Sequence, residues 1–317
     1  MGVNLDKPQC WKEDIARSVD LYNQWFLEFA PKTFQEERKN AIQQVKAMLS
    51  WTDNFRNFTI NNLKEHPEIL SALRMCTAPP IARDRLIGLA GVSRTLVNRM
   101  EKEGSLPPRM KKSDINKDLQ NIISVITQML DRDIFTWVDK QRQPSAQEIY
   151  RAATIVADRL CGTNADPIIR NAQERRQLAK IKNWLEDRGY KDMSGNISFG
   201  HLKTGMFAFR INVLGLKDDG SQINIPIDVI VMPHNAQESE LPIMIEAKSA
   251  GDFTNVNKRR KEEAMKFIQL RNKYGDNIKY ILFLCGYFDS GYLGYIAAEG
   301  IDWIWEHRID DLKKLGL

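Results

Sequence analysis

Two apolar segments in the second half of the chain carry charged side chains that together could hold a metal beside a phosphate group. Asp228 stands alone within the apolar run Ile225–Val231, and Glu246-Ala247-Lys248 ends the next apolar run. Both runs have the length and composition of buried β-strands. Side chains alternate along a strand, so Glu246 and Lys248 share one face and Ala247 points away. If the two strands pair, Asp228, Glu246 and Lys248 converge on one place.

The chemistry of such a place follows from its charges. A buried carboxylate is costly unless something positive meets it. Mg²⁺ prefers oxygen ligands and is typically held by one or two carboxylates together with a substrate phosphate. A lysine beside it could orient the attacking water or contact the phosphate. The alternative is structural: Glu246 and Lys248 form a solvent-facing pair at a strand end, and Asp228 caps a turn.

These residues also carry a family resemblance. Pro226-Ile227-Asp228 together with Glu246-Ala247-Lys248 resembles the PD-(D/E)XK nuclease motif, with Ile227 inserted between the proline and the acid. The run from 245 to 255, with the basic segment 258–264 after it, is similar to type II restriction endonucleases of the XamI-like group. The resemblance covers roughly residues 165 to 290, and more loosely 75 to 105.

The resemblance implies a type II restriction endonuclease that hydrolyses double-stranded DNA at a short specific sequence, with Mg²⁺ as cofactor. It implies that Asp228 and Glu246 bind the metal, with the Ala247 carbonyl as a further ligand, and that Lys248 positions or activates the water. The products would carry a 5′-phosphate and a 3′-hydroxyl. A homodimer is expected if the target is palindromic. A companion DNA methyltransferase is implied without direct contact.

A third acid precedes the strands. Glu174, Leu178, Ile181 and Leu185 fall at helical spacing and share one face. If that face packs on the sheet, Glu174 lies at its N-terminal edge, over the metal. In the superfamily a helix acid often completes the metal shell, and Glu174 is the matching position. The alternative is an exposed glutamate favoured by the helix dipole.

A polar and basic segment follows the catalytic strand. Cations at a helix start oppose the helix dipole, so local stability does not explain the cluster, whereas phosphate contact does. A solvated helix face is the bland alternative. The predicted DNA contacts here are Ser249, Asn255, Asn257, Lys258, Arg259, Arg260 and Lys261.

Residues 81–104 in the first half resemble a helix-turn-helix. Two short helices meet at Gly91, and the second would enter the major groove of DNA. Ser93, Arg94 and Asn98 would then face the DNA, while Leu96 and Val97 would pack inward. An ordinary helical hairpin explains the same pattern.

The first half reads as helical, and residues 1–163 are predicted to form a helical region. Pro31 is expected to end the first helix, and a linker is expected at Cys161–Pro167. The predicted helices are Trp11–Phe29, Thr33–Trp51, Pro67–Met75, Ile81–Ala90, Ser93–Glu103, Ser113–Asp139 and Ser145–Leu160.

Residues 164–317 are predicted to form the nuclease domain. A helix Asp166–Arg188 is followed by strands Met206–Leu214, Ile223–Met232 and Leu241–Lys248, then a helix to Tyr274 and a strand to Tyr287. The tail adds a short strand near Trp303 and a closing helix. The first three strands could form an antiparallel meander, with the next strand parallel to a neighbour. The fold class is α+β or α/β, a mixed sheet flanked by helices behind a helical N-terminal region.

Composition agrees with this interpretation. The 317 residues carry a net charge of +5, which suits a polyanion partner. No apolar run approaches a membrane span of about 18 residues, and the start lacks the layout of a signal peptide. The four cysteines are scattered, as in a reduced, cytoplasmic protein.

Two other functions remain open: a DNA repair or recombination nuclease of the same fold, and a non-catalytic DNA-binding regulator.

Overall fold

The computed structural model describes residues 2–195, 197–237, 240–254 and 256–317, and for residues 256–259 it describes the backbone alone. The chain divides into two compact units. One unit is Ala30–Ile169. The other combines Met1–Phe29 with Arg170–Leu317 and contains the β-sheet. The domain division at 163/164 stays a prediction, and that position lies inside a continuous helix.

The unit Ala30–Ile169 is built from helices around one apolar core. Its elements are the second half of α1 (Pro8–Trp51), α2 (Ile60–Glu65), α3 (Leu70–Met75), α4 (Arg83–Ala90), α5 (Arg94–Glu103), α6 (Lys112–Met129) and the first part of α7 (Ala146–Glu186), with a short 3₁₀ turn at Pro67–Ile69. A buried ion pair crosses the core, in which Arg74 Nε lies 2.6 Å from Glu101 Oε1.

The predicted breaks at two prolines are wrong, because α1 runs through Pro31 and α7 runs through Pro167. A proline inside a helix leaves the carbonyl four residues earlier without a partner. Pro31 and Leu27 are exposed, as are Pro167 and Thr163, so water can bind the freed carbonyl in each case. The apolar face of each helix also continues past its proline, and packing therefore outweighs the local signal.

The helix predicted to reach Asp139 ends at Met129. The reason is a competing partner: the backbone N–H of Asp131 donates to the carbonyl of Cys76 at 2.9 Å, and Thr77 forms an isolated β-bridge with Leu130. These long-range hydrogen bonds take the chain out of helical geometry.

The helical hairpin of residues 81–104 is confirmed as a pair of helices. Gly91 closes α4 with φ 61°, a left-handed conformation that glycine adopts without strain. Ser93 begins α5, and its hydroxyl accepts a hydrogen bond from the N–H of Leu96. Leu96 and Val97 are fully buried, as predicted.

The sheet of the second unit has six strands in chain order, and the predicted meander is confirmed. β2 pairs antiparallel with β3 and β3 with β4, whereas β1–β2, β4–β5 and β5–β6 are parallel. The strands are β1 (Lys191–Asp192), β2 (Met206–Leu216), β3 (Gln222–Met232), β4 (Ile243–Ala250), β5 (Tyr280–Gly286) and β6 (Asp302–Trp305).

Helices cover both faces of this sheet. The predicted stripe Leu178, Ile181 and Leu185 of α7 is buried with Val229 and Ile245 on one face. The other face is covered by α8 (Val256–Tyr274) and α9 (Ser290–Ala298), and 3₁₀ turns lie at Phe199–His201 and Glu306–Leu315. No helix among the described residues combines the length and apolar character needed to cross a membrane.

The start of the chain is fastened to β6 by one buried carboxylate. Asp302 accepts hydrogen bonds from the backbone N–H groups of Val3, Asn4 (2.9 Å) and Leu5 (3.1 Å). The Asn4 amide, which is also buried, donates to the carbonyl of Trp303 at 2.7 Å. Residues 2–5 therefore belong to the core of the sheet unit.

Asp302→Ala should lower the free energy of unfolding by about 3 kcal/mol, because buried N–H groups lose their acceptor. Urea unfolding followed by tryptophan fluorescence would measure the change. Asp276→Ala is the matched control, since the Asp276 side chain is 93 % exposed and should shift stability by at most about 0.5 kcal/mol. Equal unfolding midpoints for the two variants would refute the anchoring role of Asp302.

Candidate active site

Asp228 and Glu246 meet where β3 and β4 separate. The ladder between these strands runs from Val231↔Ile243 to Val229↔Ile245 and stops there. At the next position the N–H of Ala247 donates to Asp228 Oδ2 at 2.9 Å, so a side chain takes the place of a backbone acceptor. The N–H of Asp228 in turn points to Glu246 Oε2 at 3.4 Å. A cleft can open here because the backbones no longer pair.

A bend in the β2–β3 hairpin coincides with this point. Phe209 pairs with Val229 and Ile211 with Ile227, but Arg210 between them has φ 54°. That left-handed conformation costs a non-glycine residue roughly 1 kcal/mol or more. After the bend the odd-numbered residues change sides: Val229 packs in the α7 layer, whereas Ile227 packs in the α8 layer. Asp228 lies at this bend, between Ile227 and Val229.

Lys248 is held between two buried carboxylates. Its Nζ lies 2.9 Å from Glu246 Oε1 and 3.1 Å from Glu263 Oε1 on α8. Lys266, one turn further along α8, also contacts Glu246 Oε1. The Tyr280 hydroxyl donates to the second oxygen of Glu263. The predicted shared face of Glu246 and Lys248 is confirmed, and the solvent-facing pair is excluded because Glu246 is only 3 % exposed.

The electrostatics of this cluster favour an added cation. Burial, and then the charge of Glu246, raise the pKa of Asp228 to about 6, against the opposing effect of Lys248. Burial alone would lower the pKa of Lys248, but the charges of Glu263 and Glu246 raise it, so the ammonium group stays protonated. Three carboxylates face two lysines, Lys248 and Lys266. One negative charge is left over, and the free donors are oxygens, which is the donor set that Mg²⁺ prefers.

Glu174 lines the same cleft, but its carboxylate has another partner. Arg210 NH2 lies 3.0 Å from Glu174 Oε1. Within the described part of the chain, no group of three or more His, Cys, Asp or Glu side chains is placed to hold a metal. The roles of Glu174 and of the Ala247 carbonyl as further ligands therefore stay predictions.

The cleft has a volume of about 770 Å³. Its walls come from the helices α1, α7 and α8, from the strands β3 and β4, and from the loop that follows β4. Gln177 of α7 fixes one wall, since its Nε2 donates to the carbonyls of Lys248 and Phe283, each at 3.4 Å. The lining residues are Tyr22, Arg170, Gln173, Glu174, Gln177, Asp228, Ala247, Lys248, Ser249, Ala250, Gly251, Asp252, Glu262 and Glu263.

Sequence reasoning missed Glu263, Lys266 and Gln177. A signal for Glu263 was present, because it precedes Phe267 by four positions and Leu270 by seven, on the apolar face of α8. A carboxylate on the buried face of a helix requires a partner, and Lys248 is that partner. Gln177 carries no comparable signal, since an amide at helical spacing fits a solvated face equally well.

Comparison with known proteins bears directly on this cleft. The model of the XamI restriction endonuclease family matches residues 53–305. The chain belongs to this family. The type II restriction enzyme SalI of Streptomyces albus G is 52 % identical over 316 residues, which is 99 % of each chain. This XamI-family chain is thus a type II restriction endonuclease, a site-specific deoxyribonuclease.

The chain is also similar to a solved structure at a low level. The crystal structure of protein VC1899 from Vibrio cholerae aligns with a TM-score of 0.28 and 11 % identity. The alignment covers 80 % of the XamI-family chain and 55 % of the Vibrio chain. Similarity at this level carries no argument about fold or function.

Only some of the predicted DNA contacts of this XamI-family enzyme lie among the described residues. Ser249 lines the cleft and Lys261 is exposed. The guanidinium of Arg260 lies 4.8 Å from the ring centre of Tyr295. Asn255 and the side chains of Asn257, Lys258 and Arg259 lie outside the described residues.

The candidates in the helical unit have structural partners of their own. The Ser93 hydroxyl caps α5. Arg94 is 71 % exposed and lies 3.9 Å from Asp84, while Asn98 is half-buried. Their contact with DNA stays a prediction.

Asp228→Asn should change how stability depends on pH in the metal-free enzyme. Because folding raises the pKa of Asp228 from 3.8 to about 6, the folded state binds more protons between these values than the unfolded state. The contribution of Asp228 to the free energy of unfolding should therefore fall as pH rises from about 4 to 6, by on the order of 2 kcal/mol. The asparagine oxygen still accepts from Ala247, so the variant should lose this fall and be more stable at pH 8.

Thermal unfolding in EDTA across pH 4–8 would measure the effect. Asp276→Asn, at an exposed position, should keep the wild-type profile. Parallel profiles for wild type and Asp228→Asn would contradict the raised pKa of Asp228 in the folded state.

Proposed function

We propose that the cleft is a PD-(D/E)XK active site that hydrolyses double-stranded DNA at a short specific sequence, with Mg²⁺ held by Asp228 and Glu246. One observation carries the proposal: both carboxylates meet where β3 and β4 separate, and Lys248 Nζ lies 2.9 Å from Glu246 Oε1. The surplus negative charge and oxygen donors of this cluster fit a divalent cation.

Bound Mg²⁺ would supply a water of lowered pKa and stabilise negative charge on the phosphate. The protein's own groups do the positioning. Asp228 and Glu246 bind the cation, with the Ala247 carbonyl and Glu174 as further ligands. Lys248, protonated and held by Glu263, orients the water and neutralises charge on the scissile phosphate. The products carry a 5′-phosphate and a 3′-hydroxyl, as the resemblance to the superfamily implies.

Recognition of the sequence requires contacts outside the cluster. Ser249, Asn255 and Asn257, with the basic residues 258–261 at the start of α8, contact the DNA beside the scissile bond. The hairpin α4–α5 presents Arg94 to solvent, and Ser93, Arg94 and Asn98 read the major groove.

The enzyme acts as a homodimer if its target is palindromic, because a protein two-fold axis then matches that of the DNA. A DNA methyltransferase protects the same sequence without binding this chain.

Three free cysteines, Cys76, Cys161 and Cys285, are buried, and Cys10 is exposed and also free. Unpaired thiols suit the reducing cytoplasm.

Digestion of plasmid DNA with Mg²⁺ tests the proposal, with EDTA as the metal-free control. Discrete fragments with 5′-phosphate ends are expected. Cutting that selects branched or damaged DNA would favour a repair nuclease, and intact DNA with a gel shift would favour a regulator. Sedimentation in the presence of a duplex carrying the mapped site would give the oligomeric state.

Lys248→Ala should reduce the cleavage rate at least about 100-fold while leaving DNA affinity within a few-fold, because the lysine acts on the reacting groups. Lys12→Ala, an exposed lysine on α1, should cut at the wild-type rate. Cleavage at the wild-type rate by Lys248→Ala would overturn the assignment of this cluster as the active site.

A further inference from the structure

One face of α7 forms a wall of the cleft beside Asp228. Arg170, Gln173 and Gln177 stand three and four positions apart, so they lie on the same side of the helix, and all three line the cleft. Gln177 is 1 % exposed, and its amide bonds to carbonyls of β4 and β5. This wall is therefore fixed to the sheet at the level of the catalytic lysine.

Gln173, one turn before Gln177, has the same side chain without the same bonds. It is 5 % exposed, and its Nε2 finds no hydrogen-bond partner among the described residues. A buried amide N–H₂ without an acceptor is unfavourable, because it has lost its hydrogen bonds to water. Water or a ligand must supply that acceptor, and the group that enters this cleft in a restriction endonuclease is DNA.

Arg170 extends the same wall by a further turn. It is exposed, and no carboxylate of the described residues lies within ion-pairing distance. The nearest acid along the helix on this side, Glu174, is engaged by Arg210. Among the described residues, neither the Gln173 N–H₂ nor the Arg170 guanidinium has a protein acceptor, so the wall offers two free donor groups in succession. An anionic oxygen group is the complementary ligand.

We propose that Gln173 and Arg170 form a phosphate subsite that holds the DNA backbone beside the phosphodiester bond at Asp228. The inference rests on the proposed cleavage at this cleft. A phosphate is favoured over a base edge because the wall combines the unpaired Gln173 N–H₂ with the positive charge of Arg170, and an anionic oxygen matches both. Gln173 donates to a phosphate oxygen from a rigid position, and Arg170 neutralises its charge. Both are positioning residues for the substrate strand.

Two variants test the subsite. Gln173→Met keeps the length and removes the donor, and Arg170→Ala removes the cation. Binding of a fluorescent duplex that spans the mapped cleavage site would be measured by anisotropy in EDTA, from 50 to 300 mM salt. Each variant should weaken binding about tenfold. Arg170→Ala should also reduce the slope of log affinity against log salt by about 1, whereas Gln173→Met should leave the slope unchanged.

Matched controls lie on the same helix. Arg175 is exposed and its Nε donates to the carbonyl of Asn171 within α7, so Arg175→Ala should keep the wild-type slope and affinity. Gln177→Met should lower the thermal stability, because two carbonyls lose their donor. Gln173→Met should leave stability unchanged or raise it, because its N–H₂ has no bond to lose in the free protein.

Phosphate contact is separated from base contact by duplexes with a neutral methylphosphonate at one position at a time. At one position of the duplex, the methylphosphonate should weaken binding of the wild-type enzyme but not binding of the Arg170→Ala variant. The absence of any such position would overturn the phosphate assignment. Wild-type affinity of Gln173→Met would show that water alone satisfies the amide and would also overturn it. Failure of the proposed active site would appear separately, as undiminished cleavage by Lys248→Ala.

Discussion

The structure of the catalytic unit depends on the placement of two carboxylates, Asp228 and Glu246, at one point of a buried sheet. Like charges this close repel, and burial strengthens the repulsion. The protein offsets it with the N–H of Ala247, the ammonium groups of Lys248 and Lys266, and an opening to solvent. The contact between the Ala247 N–H and Asp228 also ends the backbone pairing of β3 and β4. The interaction that compensates the charge of Asp228 therefore also opens the cleft.

The two helical layers serve this point in different ways. The α7 layer is joined to the sheet beside the site by a neutral side chain, because the Gln177 amide donates to the carbonyls of Lys248 in β4 and Phe283 in β5. The α8 layer is charged, and Glu263 and Lys266 complete the ion network from the other side of the sheet. Burial raises the pKa of Tyr280, as do the charges of Glu263 and Glu246, so its hydroxyl remains a donor to Glu263. Lys248 is therefore held from the α8 side by Glu263, which is in turn held by Tyr280.

Local sequence signals failed where packing opposed them. Pro31 is predicted to end a helix and Pro167 to begin one, yet each lies on the exposed side of a continuous helix whose apolar face extends past it. The helix α6 ends before Asp131, because the backbone N–H of Asp131 donates to the distant carbonyl of Cys76. The antiparallel meander β2–β4 and the apolar stripe of α7 are confirmed, because alternation and helical spacing indicate directly which side of an element is buried.

The sequence by itself determined that Glu246 and Lys248 share one face of β4, because side chains alternate along a strand. It also predicts these two residues and Asp228 as the active site. It also determined the family, through the residues around them. The tertiary structure alone decided that α8 supplies Glu263 and Lys266 to the same cluster, and that Glu174 pairs with Arg210. It alone revealed the open donor of Gln173. Whether a buried polar group has a partner depends on distant segments, and no local spacing encodes that.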